Sequence, residues 1–312
     1  MSFHSPTLSP LILSGLRNKK ITELVLRTLA EDLATFKTPK ANELAQITME
    51  KLMGADENYP IAARSLALEV YPNWEGQDVR HLYHQYNWEV ERKGSAATAA
   101  AHVTGTSLLD IGGGPGTFSL ELLKMRPSLK ISVADIHDWR NEDARANPSI
   151  GFQQMSIGKA FPIADKSFDT GTLLYVLHHV ESDHDEFLKE CARCVKQCLI
   201  LFEDVKVSTT DLGIKSPAFT ARPLEADFLR LNLSEQAEFI ALVDYICNHI
   251  ASRELSMPVP GRYYELHELR EKLVSLFPTA EVKTFFHGIY DTKCYPNPEA
   301  MYVVKFQNGR AA

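Results

Sequence analysis

Residues 107–123 read SLLDIGGGPGTFSLELL, and this stretch decides the fold. Leu108, Leu109, Asp110 and Ile111 form an apolar run that has the character of a buried strand end. Gly112, Gly113, Gly114, Pro115 and Gly116 then force a tight turn, and good helix formers follow from Thr117. Strand, glycine turn and helix in that order suit a nucleotide-type ligand. A glycine lets the backbone approach such a ligand where a Cβ would fill the space. The helix behind it opens with free N–H groups. A dinucleotide site uses that helix start for pyrophosphate, whereas an acid at the strand end, here Asp110, suits a ligand with a cationic amino group.

Outward from this turn, residues 129–136, LKISVADI, read as a second strand that ends in an acid, Asp135. A carboxylate there can accept from two hydroxyls at once. Residues 161–180, FPIADKSFDTGTLLYVLHHV, carry Pro162, then Ser167-Phe168-Asp169, then a strand-like run over 172–177 before His178 and His179. Residues 198–205, CLILFEDV, are apolar almost throughout, as a central parallel strand requires. Glu203 and Asp204 fall at its C-terminal edge, where open α/β sheets bind ligands.

Together these segments resemble the class I S-adenosylmethionine-dependent methyltransferases. The signature acid, spacer and Gly-x-Gly-x-Gly fall on Asp110, Gly112, Gly114 and Gly116. The resemblance is strong over residues 105–206 and one of pattern over 263–306. It implies a Rossmann-like α/β sheet, mostly parallel with an antiparallel last strand, and S-adenosylmethionine as cofactor. Cofactor contacts are expected from Asp110, Gly112, Gly113, Gly114 and Gly116, and from Asp135, Ile136, Ile157 and Tyr175. The family's acid about five residues before the proline, which meets the adenine, is missing, because its place falls near Ile157. His178 matches the base of plant-type small-molecule O-methyltransferases, since acids Glu181, Asp183 and Asp185 follow Val176-Leu177-His178. His178 and His179 are therefore the catalytic candidates, against a structural role in capping the next turn. Histidine suits base work because its ordinary pKa lies near neutral pH.

The rest of the chain frames this core. Residues 1–104 read as a helical N-terminal region, with helical spacing over 21–36, 41–52, 59–70 and 79–92. The segment 79–92 carries Tyr83 and Tyr86, candidates to touch the methyl acceptor together with Glu203 and Asp204. Residues 105–312 form the cofactor domain, interrupted at 206–262 by an insertion with helices over 224–231 and 234–250. The helix of residues 79–92 and the insertion are both expected to face the strand ends. A last helix over 263–277 and strands over 281–289 and 300–306 complete the order.

The 312 residues carry a formal net charge of −7 and a pI near 5.9. That balance disfavours a nucleic-acid partner. No apolar run approaches a membrane span, and no basic segment precedes the short apolar piece at the N-terminus. Five cysteines, an odd number, fit reduced thiols in the cytoplasm. Cys191, Cys194 and Cys198 lack the second pair that a closed zinc site needs, so they read as buried thiols and no metal is expected. The favoured acceptor is a small molecule with an oxygen or nitrogen nucleophile. A protein or RNA methyltransferase and a non-catalytic cofactor-binding module are the alternatives, and a homodimer is compatible with the chain.

Overall fold

The computed structural model describes residues 9–55, 58–156, 158–210, 212–213, 222–253, 257–288 and 298–307. The chain divides into two compact units. The first comprises residues 1–87, 204–265 and 288–298, and the second comprises 88–203, 266–287 and 299–312.

The second unit is built on a seven-stranded sheet. Its strands are β1 (Ser107–Ile111), β2 (Lys130–Asp135), β3 (Ile150–Gln154), β4 (Phe168–Leu174), β5 (Val195–Asp204), β6 (Ala280–Gly288) and β7 (Glu299–Phe306). They lie in the order β3-β2-β1-β4-β5-β7-β6. β1 to β5 pair in parallel, and the last strands run antiparallel, as expected from the sequence. β1 lies inside the sheet, between β2 and β4, and is fully buried from Leu108 onward. Its neighbours take Leu108 against Ile131 on one side and Thr170 on the other. Chain direction reverses in strand order at β1, which places the switch point at the glycine turn. One core binds the sheet to the helices Lys93–Ala100 and Thr117–Met125 through Ala96, Ala99, Phe118 and Leu122.

Two boundaries differ from the sequence reading. The sheet unit begins at residue 88 rather than 105, because Ala96 and Ala99 are buried in its core. β4 ends at Leu174, three residues before the apolar run of the sequence ends. Tyr175 there adopts a left-handed backbone, φ +56°, and Leu177–His179 forms a 3₁₀ turn.

The first unit is helical. Its helices Pro10–Arg17 and Lys19–Thr35 meet the insertion helix Leu233–Tyr245. Glu238 of that helix accepts from Ser14 Oγ at 2.6 Å and from Asn18 Nδ2 at 3.1 Å. Lys20 pairs with Glu235 at 2.9 Å. The insertion thus closes against the N-terminal helices as part of one body. No helix among the described residues is long and apolar enough to cross a membrane.

Candidate active site

The site is built on the C-terminal ends of β1, β2, β4 and β5. At β1, Asp110 is 1% exposed. Its Oδ2 accepts from Ser119 Oγ at 2.7 Å and its Oδ1 from Thr172 Oγ1 at 3.0 Å. One carboxylate therefore ties β1 to β4 and to the helix after the glycine turn. Burial pushes its pKa from 3.8 up to about 6. Asp110 was expected beside a cationic ligand; its side chain instead supports the turn from within.

The glycines of the turn differ in what surrounds them. Gly112 has φ +67°, and a Cβ on it would meet Val176 Cγ2 at 2.5 Å. A Cβ on Gly113 would lie 2.6 Å from Asp110 Oδ2. Gly116, φ +75°, begins the helix and would strike Ala144. At Gly114, φ +51°, nothing lies within 4 Å of the Cβ position. Three glycines serve close packing of protein on protein, and Gly114 borders open space.

That space has an acid beside it. Asp135, at the end of β2, accepts from Gly114 N at 3.0 Å through Oδ2 and from Ile136 N at 2.7 Å through Oδ1. Each oxygen keeps a further lone pair for a ligand. Burial raises this carboxyl's pKa, and the two backbone donors oppose the rise. An oriented carboxylate next to an unfilled glycine surface fits a ribose diol of S-adenosylmethionine. Ile136 is exposed on the same loop, and Ile157 lies outside the described residues. Beyond Asp135, Gln154 closes β3 and donates from Nε2 to the Ile136 carbonyl at 3.1 Å.

On the other side of β1, the 3₁₀ turn after β4 holds both histidines. His178 is 2% exposed, and its Nδ1 lies 2.6 Å from Glu203 Oε2. Glu203 Oε1 accepts from Val176 N at 3.1 Å and Leu177 N at 2.7 Å. Glu203 was expected to contact an acceptor. It is 2% exposed and spends both oxygens on the chain, so it orients the histidine and the turn. With Glu203 accepting, the Nδ1 position carries the proton and the basic lone pair falls on Nε2. His179 is half-buried, its ring 4.2 Å from that of His178. Its N–H closes the turn on the Val176 carbonyl at 3.0 Å.

Tyr175 donates its backbone N–H to Phe202 at 2.9 Å, and Arg92 lies over its ring at 5.1 Å. Left-handed backbone at a residue other than glycine is strain of the kind that collects at functional sites. Arg92 carried no signal in the sequence, where it sits in the charged run 91–93. In the helical unit, Tyr83 and Tyr86 pack on Phe36 with ring centroids 5.4 Å and 5.2 Å away. Asp204 is buried. Cys191, Cys194 and Cys198 are buried free thiols; burial drives the Cys198 pKa up to about 12 and that of Cys194 to about 11. They are unreactive packing groups.

Residues 109–200 match a family model described as a methyltransferase domain. No curated protein matches the chain by sequence. Among solved structures, the S-adenosylmethionine-dependent methyltransferase SibL in its apo form aligns with a TM-score of 0.51 at 13% identity, over 88% of this chain and 73% of that one. An O-methyltransferase family protein from Burkholderia thailandensis aligns at 0.48 and 13% identity, over 88% and 75%. The plantazolicin methyltransferase BpumL in complex with SAH aligns at 0.42 and 11% identity, over 83% and 99%.

Proposed function

We propose that this chain is a class I S-adenosylmethionine-dependent methyltransferase and that it methylates an oxygen or nitrogen nucleophile of a small molecule. The observation that carries the cofactor half is Asp135, whose carboxylate is held by Gly114 N and Ile136 N beside the open face of Gly114. Bound there, S-adenosylmethionine supplies a methyl group already activated by its positive sulfur. The chain's task is then to bring the acceptor collinear with that methyl and close to it, which alone can contribute several kcal/mol.

His178 supplies the second half of the reading. When the acceptor is a hydroxyl, its proton has to leave as the oxygen–carbon bond forms. Nε2 of His178 takes that proton while Nδ1–H stays on Glu203, which compensates the imidazolium that results. Glu203 is a positioning residue in this scheme. Tyr83, Tyr86 and Asp204 are the proposed acceptor contacts, and the buried, unreactive thiols suit a reducing compartment such as the cytoplasm. The net charge of −7 favours a small molecule over RNA.

The test is incubation of the protein and methyl-labelled S-adenosylmethionine with a cell extract, followed by separation of small molecules from protein and RNA. Label in the small-molecule fraction supports the reading. Label confined to protein or RNA overturns the acceptor class.

A further inference from the structure

β3 is an outer strand of the sheet and pairs with β2 alone. The Ser149 carbonyl accepts from Ile131 N at 2.8 Å, and Met155 N donates to the Asp135 carbonyl at 2.9 Å. Odd-numbered residues of this strand therefore turn their main-chain groups toward β2. Successive residues alternate, so Ile150, Phe152 and Gln154 turn theirs outward. Those of Ile150 are taken: its N–H donates to the Asn147 carbonyl at 3.0 Å, and its carbonyl accepts from Arg140 Nη1 at 2.8 Å. Among the described residues, nothing meets the outward N–H and C=O groups of Phe152 and Gln154.

Proteins guard a bare strand edge with charge, proline or a bulge. The opposite edge of the sheet, β6, carries the exposed ion pair Glu281 and Lys283, 3.1 Å apart. β3 reads IGFQQ, with neither charge nor proline, and its register against β2 is unbroken. Gly151 is exposed, and a Cβ on it would make only ordinary contacts, 3.8 Å from the Ile131 carbonyl and Ser132 Oγ. Packing within the chain therefore does not require this glycine, and a strand glycine also marks close approach of another backbone. The loop after β2 borders the same strand at both ends, through Gln154 Nε2 on the Ile136 carbonyl and Arg140 on that of Ile150. Within that loop Trp139 is 54% exposed, and exposed tryptophan is a residue that protein interfaces favour.

We propose that β3 pairs antiparallel with β3 of a second copy of this chain, across a two-fold axis at Gln153. The bare groups fit their own two-fold image. Phe152 of one copy and Gln154 of the other exchange N–H···O bonds in both directions, and the axis repeats the exchange. Gln153 then faces its own image, and its amide both donates and accepts. Gly151 faces Met155 of the second copy in a pair where side chains come closest, small against large. A strand of a different protein needs only free groups, whereas a copy needs this symmetry as well, and β3 supplies it.

Sedimentation equilibrium of the full chain tests the pairing with the wild type, Gln153→Lys and Gln153→Glu, each variant checked for native circular dichroism. Gln153 is exposed, so neither change disturbs the core. The wild type is expected to be a dimer at about 0.1 mM. Each variant sets like charges face to face at the axis and should weaken self-association by about 10-fold or more. An equimolar mixture of the two opposes lysine to glutamate and should restore the dimer. A monomeric wild type overturns the proposal, including the case in which β3 takes up a strand of a different protein. Variants that dimerise as tightly as the wild type place the contact elsewhere and overturn it too. So does a mixture that stays monomeric.

Discussion

Asp110 and Asp135 end adjacent parallel strands on either side of one glycine turn, and they do opposite work. Asp110 is sealed in the core, where Ser119 and Thr172 hold one oxygen each and no open space adjoins it. Asp135 sits on the rim, held by two backbone N–H groups that orient it without exhausting it. In the reading proposed here the signature acid is scaffold, and Asp135, the acid at the next strand end, meets the ligand. What separates them is the donor set and the space beyond the carboxylate, neither of which a sequence spacing encodes.

Titration should break the pair apart most clearly. The folded-state pKa of Asp110, about 6, lies above its ordinary 3.8, so the fold prefers the protonated acid. The penalty for the ionised form is present at neutral pH and is relieved as pH falls from about 6 toward 4. Measured against Asp110→Asn, wild-type stability should improve by about 2 kcal/mol between pH 7 and pH 4, because the unfolded acid with its ordinary pKa of 3.8 is itself partly protonated at pH 4. Urea unfolding at several pH values checks this, and parallel stability curves for the two proteins would refute it.

The histidine turn extends the contrast from binding to chemistry. His178→Ala should bind cofactor normally and lose on the order of 10²-fold in kcat toward a hydroxyl acceptor. A near-normal kcat would leave positioning as the whole mechanism and indicate a nucleophile that needs no base.

The glycines sharpen the same comparison on a smaller scale. Gly114→Ala carries the left-handed backbone cost alone, about 1 kcal/mol. Gly112→Ala adds the clash with Val176 Cγ2 and should lose more. In cofactor affinity the order reverses, because only the Gly114 substitution fills open space. Thermal unfolding with and without S-adenosylhomocysteine reads both orders, and equal behaviour of the two variants would count against a ligand face at Gly114.

The sheet was legible because its strands announce themselves. Asp110 with its glycines, Asp135 at the end of LKISVADI and the apolar run of β5 each carry their pattern locally. The end of β4 was not legible: LLYVLHHV stays apolar past Leu174, and only the capture of the Val176 and Leu177 N–H groups by the distant Glu203 pulls the chain out of the sheet. Glu203 itself looked like an acceptor contact for the same reason, since its partner His178 lies 25 residues away. The helical insertion was visible as helices. Its union with the N-terminal helices depends on contacts such as Glu238 with Ser14, 224 residues apart. Arg92 gave no pattern at all.

We propose that the rim acid Asp135, and not the buried Asp110, holds the cofactor. Calorimetric titration of S-adenosylhomocysteine at neutral pH into the wild-type protein, Asp135→Ala and Asp110→Asn tests it directly. Asp135→Ala should bind about 10- to 100-fold more weakly, the scale of lost charge-assisted hydrogen bonds, while Asp110→Asn keeps most of the wild-type affinity. Wild-type affinity in Asp135→Ala would contradict the account.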